Sequence, residues 1–233
     1  MASEIRNPQL WQDGRLKIEW VRHHMPLLSG LEEEFRQTLP FKGLKVALSV
    51  HLEAKTAYLC EVLAAGGAEM YVTGSNPLST QDDVAAALVE AGLNVFAWYD
   101  ATPQEYEEHI RRVLEVGPNV IIDDGGDLVN LMHTEYVDLI PNVIGGCEET
   151  TTGILRLVQL NKAGALKFPM MPSKLTNVTI MVANEAVDVP MVTISPVVIE
   201  RRAFLRGTTI SLPGSTFFEH LDNFSTEPFI FIT

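Results

Sequence analysis

The chain has 233 residues, of which 46% are hydrophobic and 20% are charged, as is ordinary for a soluble globular protein with a substantial core. Its formal net charge of −13 argues against nucleic-acid binding, because phosphates require a basic surface, and against docking on an anionic membrane. These bulk properties favour a small-molecule ligand or a protein partner.

The two cysteines, Cys60 and Cys147, form neither a CxxC motif nor a disulfide framework. The first residues lack the basic and apolar regions of a signal peptide, and no apolar run reaches the roughly 18 residues that a membrane span needs. We therefore expect a cytoplasmic protein.

The pattern of apolar residues predicts an N-terminal helical arm over residues 1–40, in which Pro26 ends one helix or begins the next. From Leu44 onward, short apolar strands alternate with helical segments. The predicted strands are 44–50, 69–73, 94–98 and 119–123, and the predicted helices are 54–67, 81–92 and 103–117. This alternation predicts an α/β, Rossmann-like fold, with a parallel sheet and helices on both faces.

Polar residues follow every predicted strand, at the edge of the sheet where ligands bind in such folds. They are His51 and Glu53, then 74–76, then Asp100, then the three carboxylates of DDGGD at 123–127. Crowded carboxylates raise one another's pKa, which suits acid–base chemistry, and the glycines allow close approach of a ligand. The alternative is that these loops are only solvated and supply helix caps.

Two further segments carry hydroxyl groups. EETTTG (148–153) places two carboxylates before three threonines at the start of a predicted helix, either as an anion-binding turn or as a capping segment. In 75–83, Ser79 or Thr80 is the predicted N-cap of the next helix. The sequence contains no GxGxxG, no GxxxxGK[ST], no HExxH and no Cys/His cluster, so we expect no protein-built metal site.

Six segments together resemble the S-adenosylhomocysteine hydrolase family. They are GRLKIEW (14–20), HLEAKTA (51–57), SNPLSTQDDVAAAL (75–88), DDGGDLVNLMHTE (123–135), GGCEETTTG (145–153) and LKFPMMP (166–172). They occur in the family's order across nearly all of residues 9–172. The resemblance implies the reversible conversion of S-adenosylhomocysteine and water into adenosine and homocysteine, with NAD as the cofactor that oxidises the ribose 3′-hydroxyl.

The resemblance also implies roles for individual residues. His51 and Asp124 would transfer protons near C4′ and C5′, and Glu149 would bind the ribose hydroxyls. The residues implied for substrate binding are Glu53, Lys55, Thr56, Asn76, Ser79, Thr80, Gln81 and Asp127, and those implied for contact with NAD are Thr150, Thr151 and Thr152.

One departure from the family concerns the purine. Many members contact the adenine edge through a Thr and a Glu, where this chain has Glu53 and Lys55. Lys is a donor only and suits O6 of hypoxanthine, while Glu53 could accept from the protonated N1. The alternatives are a surface ion pair of Lys55 and Glu53, or an exchange of their roles that leaves adenine bound.

The other departure is the C-terminal sequence. The family's catalytic Lys and Asp and its GxGxxG motif do not follow FPMMP here, so we expect little or no catalysis by this chain alone. We predict a substrate-binding domain over 41–172 and a β-rich or disordered tail over 173–233, which we hypothesise to be an out-of-frame reading. The alternatives are a nucleoside-binding or regulatory paralogue that joins full-length subunits, and a non-functional product.

Overall fold

Two consecutive helices precede the sheet in the computed structural model, which describes residues 3–172 and the strands Thr179–Val182 and Glu185–Asp188. After a 3₁₀ turn at Pro8–Leu10, α1 spans Trp11–His24 and α2 spans Pro26–Thr38. Pro26 begins α2, at the position where a missing N–H costs no helical hydrogen bond. Both alternatives for Pro26 hold, because α1 ends at His24 with Met25 as its C-cap and α2 begins at Pro26.

The N-terminal helices are packed onto the rest of the fold. Ile18 and Val21 of α1 and Leu28 and Phe35 of α2 are buried in one core cluster. A Cβ atom on Gly14 of α1 would lie 1.9 Å from the backbone carbonyl oxygen of Asp83, so the two backbones are in direct contact. Only glycine allows this approach of two backbones.

Six parallel strands form the main sheet. They are β1 (Lys45–Ser49), β2 (Glu69–Thr73), β3 (Asn94–Val95), β4 (Val120–Asp123), β5 (Gly145–Glu148) and β6 (Met170–Pro172), in the order β3-β2-β1-β4-β5-β6. The helices between them are α3 (Ala54–Ala65), α4 (Asp82–Glu90), α5 (Pro103–Leu114), α6 (Asp127–Thr134) and α7 (Thr151–Lys162), with a 3₁₀ segment at Val137–Asn142. The predicted α/β fold is confirmed.

The sheet separates two apolar cores, and successive strand residues contribute to opposite sides. Val46 and Leu48 of β1 pack with α1 to α4, whereas Ala47 between them packs with α5, α6 and α7. The strand order reverses direction between β1 and β4. In such sheets, this switch point is where the crevice for a ligand opens beyond the carboxyl ends of the strands.

Two features of the sheet differ from the prediction. The predicted strand 94–98 is observed only over Asn94–Val95. Beyond it, Phe96 forms an isolated parallel bridge with Glu4. The strands β5 and β6 were not predicted. The first contains two glycines, of which Gly146 would place a Cβ atom 2.5 Å from the carbonyl oxygen of Ile121.

A short antiparallel hairpin follows β6. Its strands are β7 (Thr179–Val182) and β8 (Glu185–Asp188), and β7 pairs with β6 at Met170 and Met181. The rest of the predicted tail, 173–178, 183–184 and 189–233, lies outside the described residues. Over the part of the chain that is described, no helix has the length and apolar character to cross a membrane.

Candidate functional site

The switch point brings His51 and Asp124 together. Ser49 at the end of β1 pairs with Asp123 at the end of β4, so the residues just beyond these strands meet at one edge. His51 Nε2 lies 3.5 Å from Asp124 Oδ2, and the Ser75 hydroxyl, beyond the end of β2, donates to the same Oδ2 at 2.7 Å. The Asp124 side chain is 5% exposed and the His51 side chain 51% exposed. A buried, oriented carboxylate thus lies beside an accessible imidazole.

The second nitrogen of His51 is held by the loop after β2. Nδ1 lies 2.5 Å from Ser79 Oγ, and Ser79 Oγ donates to the carbonyl oxygen of Asn76 at 3.0 Å. Since Ser79 uses its one proton on Asn76, Nδ1 is assigned as the donor to Ser79. Nε2 of the neutral imidazole is then the nitrogen that can accept a proton at the crevice.

The three carboxylates of DDGGD have different environments. Asp123 is fully buried and accepts from the backbone N–H groups of Asp124 and Val129 at 3.0 and 2.9 Å. Burial raises the pKa of Asp123 well above its ordinary value, and its contacts hold the turn in place. Asp124 faces the crevice, and Asp127 faces outward. Both glycines of the turn have positive φ angles, +101° at Gly125 and +83° at Gly126, which favour glycine.

Glu148 links this turn to the next loop, although only its neighbour Glu149 had a predicted role. Its Oε1 atom accepts three hydrogen bonds of 2.8 Å, from the N–H of Gly125 and from the N–H and hydroxyl of Thr150. The side chain is fully buried at the end of β5, and burial raises its pKa. Side chains alternate between the two faces of a strand. A predicted strand ending at Glu148 would therefore have distinguished Glu148 from its neighbour Glu149.

The threonines of EETTTG divide into one cap and two exposed residues. Thr150 is the N-cap of α7 and accepts from the N–H of Gly153 at 3.2 Å. Thr151 and Thr152 are exposed in the first turn of the helix. Of the two alternatives for this segment, capping is therefore realised at Thr150.

The loop after β2 corrects one prediction. The helix α4 begins at Asp82 with Gln81 as N-cap, and no side chain caps it. The predicted N-cap at Ser79 or Thr80 is therefore wrong, because both hydroxyls donate within their own loop, to the carbonyl oxygen of Asn76. Thr80 is buried, and a Cβ atom on Gly74 would lie 2.4 Å from its Oγ1.

The remaining predicted residues lie at the start of α3 and beside α1. Thr56 is buried, and Lys55 Nζ lies 3.7 Å from Glu53 Oε1 with the Lys55 side chain 67% exposed. The Gln81 Oε1 atom accepts from Lys17 Nζ of α1 at 2.9 Å. Within the described ranges, no three His, Cys, Asp or Glu side chains are arranged to hold a metal ion.

Comparison with known proteins gives a match to one protein family over more than half of the chain. The model of the S-adenosyl-L-homocysteine hydrolase family matches residues 2–137. The chain belongs to this family. The resemblance seen in the sequence is thereby confirmed.

Individual relatives refine the comparison. The chain is 52% identical over 168 residues to S-inosyl-L-homocysteine hydrolase of Methanocaldococcus jannaschii and 53% identical over 168 residues to that of Methanococcus maripaludis, covering 72% of this chain and 40% of each relative. It is 45% identical over 166 residues to the adenosylhomocysteinase of Pyrococcus abyssi, covering 71% of this chain and 39% of the relative. The chain thus spans about 40% of the length of these curated relatives, all named as hydrolases.

The three threonines differ in whether their hydroxyls are available to NAD, the cofactor that the resemblance implies. The hydroxyls of Thr151 and Thr152 are exposed at a helix N-terminus, where a polar or anionic group is favoured. The Thr150 hydroxyl already donates to Glu148 and accepts from Gly153, so it shapes the turn. The described part of this family member contains no glycine-rich loop that would cradle the phosphates of NAD.

Proposed function

We propose that this chain provides the substrate-binding domain of a hydrolase that acts on an S-nucleosyl-L-homocysteine, with hypoxanthine as the preferred purine. The observation that carries the proposal is the His51–Asp124 pair at the switch point between β1 and β4. Support for the purine comes from relatives about half identical to this chain that are named S-inosyl-L-homocysteine hydrolases.

In this proposal, His51 and Asp124 move protons at C4′ and C5′ of the ribose. His51 is suited to this role because Ser79 fixes its ring and leaves Nε2 directed at the crevice. Asp124 is suited to it because Ser75 and a nearly complete burial fix the carboxylate. Glu149 binds the ribose hydroxyls. Thr151 and Thr152 would contact NAD, which when bound would accept the hydride from C3′ as the 3′-hydroxyl is oxidised.

The purine is assigned to Glu53 and Lys55 at the start of α3. The two side chains present an acceptor and a donor 3.7 Å apart, as the neighbouring N1–H and O6 of hypoxanthine require. Adenine presents the opposite pattern, with an acceptor at N1 and a donor at N6. A protein donor that faces a purine donor costs about 1–3 kcal/mol once binding shields the two from water, so the preference should be roughly tenfold to a hundredfold.

The experiment is a calorimetric titration of the purified chain with inosine and with adenosine. We expect inosine to bind at least tenfold tighter, and Lys55→Glu to reduce or reverse that preference. The matched control is Lys42→Glu, an exposed lysine in the turn before β1, which should leave both affinities unchanged. Tighter binding of adenosine that Lys55→Glu does not alter would refute the purine assignment, and binding of neither nucleoside would refute the proposed function.

A further inference from the structure

Three polar side chains, one each from α5, α6 and α7, meet beside the turn that carries Asp124. Asp127 is the first residue of α6, and its Oδ1 accepts from Arg156 Nη1 of α7 at 2.7 Å. The Tyr106 hydroxyl of α5 donates to the other oxygen, Oδ2, at 3.0 Å. Burial and the negative charge of Asp127 raise the pKa of Tyr106, so the phenol stays a donor. The Asp127 carboxylate is therefore fixed from both sides.

A cleft of about 260 Å³ opens beside this cluster. Its walls come from α5 and α6, and Tyr106, Glu107, Asp127 and Asn130 supply its polar groups. A water molecule in the liquid occupies about 30 Å³, so the cleft has room for several waters or for a small polar group of a ligand. The Arg156 side chain lies across Gly126, where a Cβ atom would be 3.3 Å from Arg156 Cδ.

The Arg156–Asp127 pair has the chemistry of a zwitterion site. The side chains are 50% and 41% exposed, and an exposed pair of this kind stabilises a fold by only about 0–1 kcal/mol. A guanidinium carries five N–H donors in a planar fork that matches a carboxylate. Among the described residues, Asp127 is the one hydrogen-bonding partner of Arg156. The Asp127 carboxylate can accept hydrogen bonds from an ammonium group, and the Arg156 guanidinium can donate to a carboxylate. Together they match the two charged groups of an α-amino acid.

The location fits the distal end of the proposed substrate. Asp127 follows Asp124 by three residues, so their Cα atoms are at most about 11 Å apart along the turn. Asp124 lies at the switch point, where the proposed function places C5′ of the ribose. The chain of homocysteine leaves C5′ through the sulfur and carries its α-amino acid group away from the ribose.

We propose that Asp127 and Arg156 form the subsite for the amino-acid end of the thioether substrate. Asp127 binds the α-ammonium group, Arg156 binds the α-carboxylate, and Tyr106 is a positioning residue that holds Asp127. This inference rests on the proposed function and deepens it, because it names the group that separates an S-nucleosylhomocysteine from a plain nucleoside.

The first test uses the unaltered chain and three ligands: inosine, 5′-methylthioinosine and S-inosyl-L-homocysteine. 5′-Methylthioinosine has the thioether but lacks the amino acid. The difference in affinity between it and S-inosyl-L-homocysteine therefore measures the contribution of the subsite. Charge-assisted hydrogen bonds should make S-inosyl-L-homocysteine bind roughly tenfold to a hundredfold tighter than 5′-methylthioinosine in calorimetric titrations. The adenosine series is measured in parallel, so that a wrong purine assignment does not affect the result.

The second test uses variants. Arg156→Gln should remove most of the gain for S-inosyl-L-homocysteine, and Arg156→Lys should keep part of it, because lysine retains the charge without the planar fork. Tyr106→Phe should lower that gain a few-fold and leave 5′-methylthioinosine binding as before. The control is Arg112→Gln on α5, which removes surface ion pairs with Glu4, Glu108 and Glu115 and should change none of the affinities.

The outcomes separate the two proposals. Equal affinity for 5′-methylthioinosine and S-inosyl-L-homocysteine would overturn the subsite while the proposed function stands. A gain that survives Arg156→Gln and Asp127→Asn would also overturn it. Binding of none of the compounds would overturn both proposals.

Discussion

Gly153 and Glu148 lie so close together that a Cβ atom on the glycine would come within 2.1 Å of the Glu148 Cδ atom. The space left by the missing side chain is filled by the carboxyl group, which reaches under the first turn of α7. From there it accepts hydrogen bonds from Gly125 and Thr150. The absence of a side chain at Gly153 thus allows the contact between two loops of the candidate site.

Gly153→Ala should therefore destabilise the fold, although alanine is the better helix former. The added methyl group must displace Glu148, and overpacking of this kind costs about 1–3 kcal/mol. Gly30→Ala in α2 is the matched control, because a Cβ atom there meets nothing within 4 Å. It should stabilise the chain by about 0.5–1 kcal/mol. Urea unfolding of both variants measures the two effects, and a stabilising Gly153→Ala would contradict the packing argument.

Removal of the Glu148 side chain should cost more than its conversion to an amide. Glu148→Ala leaves the N–H groups of Gly125 and Thr150 without their acceptor, at a cost of about 1–3 kcal/mol for each buried group. Glu148→Gln keeps an Oε1 acceptor and should lose less than half as much free energy of unfolding. Hydrogen exchange at these two amides gives a second measurement, and it should accelerate in Glu148→Ala alone. Equal losses in the two variants would show that the charge, and not the acceptor, is what matters.

The sequence was informative wherever a pattern was local. The strands β1, β2 and β4 are apolar runs, and their predicted bounds agree with the structure to within one residue at each end. The strand β5 was missed because Gly-Gly-Cys-Glu has little intrinsic β-propensity and becomes a strand only between two neighbours. The end of β3 depends on its pairing with Glu4, which is distant in sequence.

Residues of the candidate site were likewise predictable only where the sequence pattern was local. His51 and Asp124 were identified because they directly follow strands, and the parallel sheet brings them to one edge. Arg156 was not identified, since its pairing with Asp127 joins two helices and an arginine on a helix surface is usually solvated. Glu148 required a choice between adjacent carboxylates, which the missed strand β5 would have settled.

Glu32 should be the most sensitive acidic residue of the N-terminal helices. Burial alone would raise its pKa, but hydrogen bonds from Arg36, Arg22 and Tyr58 outweigh burial and hold the pKa below its ordinary value. Glu32→Gln removes the charge from a buried carboxylate whose partners Arg22 and Arg36 are partly exposed, and it should lower the free energy of unfolding by about 1–3 kcal/mol. Its neighbour Glu33 is exposed, and Glu33→Gln should change stability by less than about 0.5 kcal/mol. Urea unfolding at neutral pH compares the two, and similar values would contradict this account.

His109 should make the fold sensitive to mild acid. The imidazole is 2% exposed and packs edge-on against Trp98, with ring centroids 4.1 Å apart. Burial lowers the pKa of His109 to about 4, against about 6.5 in the unfolded chain. Between these values the unfolded chain binds a proton that the folded chain does not. The contribution of neutral His109 is therefore complete above about pH 6.5 and is lost as the pH falls towards about 4.

The size of this effect is at most about 3 kcal/mol, from the separation of the two pKa values. His109→Phe keeps an aromatic ring against Trp98 but cannot titrate, so its stability should fall less steeply between pH 6.5 and pH 4. The buried acids Asp123 and Glu148 have raised pKa values and act in the opposite direction, but they are present in both proteins and cancel in the difference. His23→Gln, which removes an exposed imidazole on α1, is measured alongside as the control for loss of a histidine. Urea unfolding across this pH range measures the slopes, and equal slopes for the unaltered chain and His109→Phe would show that His109 is not the group responsible.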